Sequence, residues 1–158
     1  MNWPRTAGAV SDHESSEPVN PAIICYDGSH GARTAMREAA RFLGTREAIV
    51  LHVSEQLPAT SHAELAPELE RRMTERAGSV IEEGVAVAKE AGLDASPLAV
   101  EPRGPVWSTI LEIVDDRDPC VVVVGSRGLG GVKSALMGSV SAKLVHESTR
   151  PIVVVPSP

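Results

Sequence analysis

The residues most able to do chemistry lie in one stretch, GSRGLGGVKSALMGSVS, which runs from Gly125 to Ser141. Gly125, Gly128, Gly130, Gly131 and Gly138 punctuate it. Glycine permits positive φ and close backbone approach, both useful where successive amides must point at an anion. The pattern predicts a helix from about Ser139 to Glu147, whose first turn would add unpaired N–H groups and the positive end of its dipole. Gly138, Ser139 and Val140 are thus placed to hold a phosphate, with Ser126 and Arg127 in the same loop and Lys133 adding charge. Ser139 could cap that helix, in which case its hydroxyl would serve either the helix backbone or a phosphate oxygen. The plain alternative is that the glycines only turn a loop between a strand and a helix.

Two familiar phosphate patterns are excluded. A P-loop needs an uninterrupted Gly-Lys-Ser/Thr run, whereas Val132 separates Gly131 from Lys133 and Ser134. The dinucleotide fingerprint fails because Lys133 stands where its third glycine would be, and because the segment lies late in the chain. Away from the loop, Asp27 follows a predicted strand and can serve either as an Asx-turn residue or as a nucleotide ligand. His52 reads as a hydrogen-bonded sheet residue, and His13, His30, His62 and His146 lack metal-site spacing. Cys25 and Cys120 read as small hydrophobes at strand ends. The Glu and Arg run from Glu68 to Arg76 reads as a solvated helix face, while Trp107 fits either a core anchor or a partly exposed contact.

The elements that must position the loop follow from the apolar pattern. The 158 residues suit one domain, and with two Trp, one Tyr and one Phe the core must be aliphatic. The runs AIICY from Ala22, Ala48 to Val53, Pro97 to Val100, CVVVVG from Cys120 and PIVVV from Pro151 read as strands. Helical spacing separates them, giving β-α-β-α-β-α-β-α-β. The unalternating valines require a strand covered on both faces, as in a parallel sheet, where ligands lie beyond the carboxyl ends of the strands. Residues 1–20 mix Pro, Gly, Ser and charge, and read as a flexible leader before a domain spanning 21–158. A formal charge of −6 without a basic stripe argues against nucleic acid as partner. Unpaired cysteines and the absence of a signal or long apolar run suggest a cytoplasmic protein.

Gly125-x2-Gly128-x9-Gly138-Ser139 resembles the G-x2-G-x9-G-S/T signature of ATP-binding universal stress proteins. The likeness extends over about residues 22 to 155, through Asp27-Gly28-Ser29, Leu51-His52-Val53 and Pro151 to Val155. It implies a single three-layer α/β domain, with a five-stranded, mainly parallel sheet and helices on both faces, similar to adenine-nucleotide α-hydrolases. It further implies that Gly125 and Gly128 lie along the ribose and phosphates, that Gly138, Ser139 and Val140 cap the phosphates, and that Asp27, Val53 and Cys25 line the adenine side. ATP would bring Mg²⁺ or Mn²⁺ on its phosphates, and homodimers would form through Ile152 to Val155. The implied role is nucleotide-dependent signalling with an unnamed partner. Two alternatives are slow ATP hydrolysis and a protein-interaction module without nucleotide. The segment 57–67 has no family motif.

Overall fold

The computed structural model describes residues 20–44, 46–54, 66–130 and 137–157. The leader apart from Asn20, most of the segment 57–67 and Lys133 therefore lie outside the described residues. The observed elements are β1 (Ala22–Cys25), α1 (His30–Leu43), β2 (Glu47–Val53), α2 (Ala66–Glu90), β3 (Asp94–Val100), α3 (Val106–Arg117), β4 (Val122–Gly125), α4 (Ser139–Glu147) and β5 (Ile152–Val155). The sheet order is β3-β2-β1-β4-β5 and every pairing is parallel. The expectation of a mainly parallel sheet is thus met in full.

Burial explains which runs form the centre. All residues of β1 and β4 are buried, because helices cover both faces of the sheet. On one face α1 and α2 contribute Ala35, Met36, Ala39, Ile81 and Ala88 to a core with Ile24, Val50 and Val123. On the other, Ile110, Val114 and Leu144 of α3 and α4 pack on Ile23, Leu51, Val122 and Val124. The third strand begins at Asp94 and not at Pro97, the expected start. Ser54 N–H donates to the Val100 carbonyl, so Val100, Leu98 and Ser96 turn their backbone groups toward β2 and Pro97 turns outward. The missing N–H of Pro97 therefore removes no ladder bond from this edge strand.

The sheet grows from β1 to β2 to β3 in one direction and then resumes with β4 on the other side of β1. Loops leaving β1 and β4 diverge at this switch point, which opens a crevice at their carboxyl ends. Ser29 starts α1 from the first loop, its Oγ accepting from Ala32 N–H at 3.1 Å. The exposed Glu68, Arg71, Arg72 and Glu75 pair along α2, the solvated face expected from the sequence.

Two glycines of α2 should respond oppositely to substitution. A Cβ at Gly84 would stand 2.7 Å from Tyr26 Cδ1 and 2.9 Å from Val50 Cγ1, so the helix backbone rests directly on the sheet there. A Cβ at Gly78 would meet nothing within 4 Å. Gly84→Val should cost ~1–3 kcal/mol through overpacking, whereas Gly78→Ala should stabilise by ~0.5–1 kcal/mol. Urea unfolding midpoints measure both, and equal shifts would contradict this packing.

Candidate functional site

The crevice forms a cavity of about 430 Å³ between the ends of β1, β2 and β4 and the first turn of α4. That volume lies within the range of small-ligand pockets. Of the ten residues singled out in sequence, Cys25, Asp27, Val53, Gly125, Arg127, Gly128, Gly138, Ser139 and Val140 line it. Ser126, the tenth, is buried in the same loop and is not among the lining residues.

The chain builds one end of the cavity from the amino terminus of α4. Gly138 is the cap residue, with φ −75° and ψ 165°, and Ser139 is the first residue of the helix. The cap position therefore falls one residue earlier than the sequence reading allowed. Ser139 is exposed and its hydroxyl bonds to no described residue, which leaves it with the first helical N–H groups at the cavity edge. This end presents donors and a positive dipole, with Arg127 alongside.

The other end is apolar and bounded by backbone. Leu51, Val53, Val106 and Ile110 supply aliphatic surface. In the β1–β2 register Cys25 lies opposite Leu51, so Val53 extends two residues past the end of β1. Tyr26 N–H donates to the Leu51 carbonyl, and Ser54 N–H donates to β3 on the opposite side. Strand alternation then turns both backbone groups of Val53 toward the side that β1 has vacated, into the cavity.

Asp27 joins the two loops. Its Oδ1 accepts from Ser29 N–H at 2.9 Å, making an Asx turn, and its Oδ2 accepts from Leu129 N–H at 3.1 Å. A Cβ on Gly128 would collide with that same Oδ2, so a side chain there would push the carboxylate from its present position. Asp27 thus closes the turn after β1, the first of the two roles weighed for it, and stands at the cavity wall.

Several contributors were not singled out from sequence. Tyr26 OH donates to Glu83 Oε1 at 2.7 Å, and Arg33 Nε donates to the same oxygen at 2.6 Å, tying β1, α1 and α2 together. Burial first, then the neighbouring Glu83, pushes the Tyr26 hydroxyl up to about 12, so it remains a donor at neutral pH. The His52 ring lies with Nδ1 2.9 Å from the Tyr26 carbonyl, which can only accept; Nδ1 therefore carries the proton. His52 is buried in the sheet, as expected, while also lining the cavity. Half-buried Trp107 on α3 lies under the Lys143 ammonium of α4, 5.1 Å from the ring centroid, so it is a partly exposed helix contact.

Comparison with known proteins agrees with this fold. The family model for the universal stress protein family matches residues 19–156, and the chain belongs to that family. A universal stress protein of Thermus aquaticus is 32 % identical over 136 residues, covering 84 % of this chain and 96 % of the relative. The solved structure of Methanocaldococcus jannaschii protein MJ0577 superposes with a TM-score of 0.75 at 26 % identity, covering 88 % of this chain and 96 % of that one. Family structures also exist with dAMP bound, from Archaeoglobus fulgidus (TM-score 0.65, 17 % identity, 86 % of this chain and 97 % of that one). An Arabidopsis thaliana member carries AMP (TM-score 0.66, 18 % identity, 88 % and 92 % coverage). Among the described residues no helix is long and apolar enough to cross a membrane.

The two thiols should differ in reactivity. Burial, and secondarily the charge of Asp27, pushes the Cys25 thiol up to about 12, so it stays protonated and inert at pH 8. Cys120 is only partly buried. A thiol reagent at pH 8 should modify one cysteine in native protein, mapped to Cys120, and both after denaturation. Rapid native modification of Cys25 would contradict its placement.

Proposed function

We propose that the cavity binds an adenine nucleotide, ATP in particular, and that the protein is a nucleotide-dependent signalling module of the cytoplasm. The observation that carries this reading is the pairing of a backbone edge at Val53 with a helix amino terminus at Gly138, at opposite ends of one cavity. Adenine offers an N6 donor beside an N1 acceptor, which complements a strand carbonyl beside an N–H. Guanine offers the reverse order along the same edge and would leave both backbone groups opposed to like groups. The aliphatic side chains between them suit a planar base, and the amides at Ser139 and Val140 suit phosphate oxygens. AMP and dAMP in the related structures support the same class of ligand. Cys25, Asp27 and Val53 would form the nucleoside side, with Gly125, Arg127, Gly128, Gly138, Ser139 and Val140 along the ribose and phosphates.

Among the described residues no group of three His, Cys, Asp or Glu is gathered as a metal site. Mg²⁺ or Mn²⁺ arriving with ATP would accordingly take its ligands chiefly from phosphate oxygens. Leu129 and Met137 are apolar and exposed on the loop beside the cavity. A partner that reads loop position would find them there, which gives nucleotide occupancy a route to a signal.

The chain also presents β5 as a sheet edge, with Ile152, Val153 and Val154 half-buried. An uncovered apolar edge favours pairing with a second copy about a two-fold axis. Val154→Asp should lower the mass measured by light scattering toward that of a monomer while the circular dichroism is retained. Wild-type protein that is monomeric at micromolar concentration would overturn the homodimer.

The nucleotide reading is tested by calorimetric titration with ATP and GTP. Wild-type protein should bind ATP at least about tenfold more tightly than GTP, the consequence of two opposed buried hydrogen-bond pairs. At Gly138 a Cβ would stand 3.4 Å from the Ser126 carbonyl and φ is open to any residue, so the fold accommodates a side chain there. Gly138→Val should abolish ATP binding without altering circular dichroism. Unchanged ATP affinity in that variant would refute the phosphate placement.

A further inference from the structure

Ser126 is 6 % exposed, faces away from the cavity and has each of its polar groups engaged. Its N–H donates to the Val155 carbonyl at 2.7 Å, which continues the β4–β5 ladder. Its carbonyl accepts from Gly138 N–H at 2.6 Å and from Ser141 Oγ at 3.0 Å, and these are the cap and an early residue of α4. Its hydroxyl accepts from Ser157 N–H at 3.0 Å, two residues past the end of β5. Arg127 Nη2 donates to the Ser157 carbonyl at 2.7 Å, so both backbone groups of Ser157 are held by consecutive loop residues. By contrast the Ser157 hydroxyl, though buried, has no hydrogen-bond partner among the described residues. What holds this segment is its backbone.

From this we infer that Ser126 is a positioning residue through which the segment after β5 fixes the amino terminus of α4, and hence the affinity for the phosphates. The inference rests on the nucleotide reading given above. The α4 cap has no side-chain cap bond, so its height over the sheet is set by the Ser126 carbonyl beneath it. Ser126 is in turn held from the side by Val155 and Ser157. Loosening the Ser157 link lets the phosphate end shift. The nucleoside end, built on Val53 and Asp27 of other segments, stays where it is.

The test compares ATP with adenosine, which lacks phosphates, by calorimetric titration. Ser157→Pro removes the N–H, and Ser157→Ala, which keeps it, is its reference; Ser126→Ala removes the acceptor from the other side and is compared with wild type. Both disruptions should weaken ATP about three- to tenfold, the scale of one buried hydrogen bond, while adenosine affinity changes less than twofold. If ATP and adenosine weaken together, or if neither weakens, the positioning role is wrong. Should Ser157→Pro fail to fold, Ser126→Ala decides alone. Wild-type protein that binds neither ligand would overturn the nucleotide reading itself and this inference with it, whereas wild-type ATP binding that survives both disruptions overturns the inference alone.

Discussion

The structure depends on a contact made without side chains, between Gly31 in the first turn of α1 and Gly125 at the end of β4. A Cβ on Gly125 would stand 3.0 Å from the Gly31 carbonyl, and a Cβ on Gly31 would stand 2.5 Å from the Arg127 carbonyl. Only two glycines let the helix start, the strand end and the following loop share this space. The consequence is geometric: α1 is seated low on the sheet, and the loop after β4 is turned back over the end of β1. Asp27 then reaches Leu129 N–H from one side, and Ser126 reaches the α4 cap from the other.

The cavity is thus the product of a topological opening narrowed by specific contacts. A parallel sheet that reverses its winding between β1 and β4 has a crevice there whatever its sequence. This chain gives the crevice two chemically different ends. One is backbone and aliphatic surface, where Val53 overruns β1; the other is a helix amino terminus, where charge and dipole favour an anion. Beside the cavity, Glu83 ties Tyr26, the residue after β1, to Arg33 of α1 through one carboxylate oxygen on α2. These two ends are what the proposed nucleotide would use, its base at the first and its phosphates at the second.

Much of this was legible in the sequence because the signals are local. The valines of β4 announce a strand covered on both faces, and the glycine spacing announces a loop feeding a helix. The same locality explains the shortfalls. Pro97 marked the start of β3 only until the sheet order turned its missing N–H to the outside edge. Ser126 read as part of the site because it sits among cavity residues in sequence, and its hydrogen-bond partners in space are Val155, Gly138 and Ser157. Gly31 carried no signal at all, since one glycine in a helical pattern becomes informative only when the carbonyl it must admit is known. Residue types and spacing thus disclose which loop lies at the cavity, whereas long-range packing decides which of its residues line it.

The central claim is that this cavity retains an adenine nucleotide, and the most direct measurement is the nucleotide content of purified protein. Protein denatured after purification and extensive washing, with the released small molecules read by mass spectrometry, should yield an adenine nucleotide, ATP foremost. Protein that releases none, and that shows no heat of binding when ATP is then added, would contradict the account.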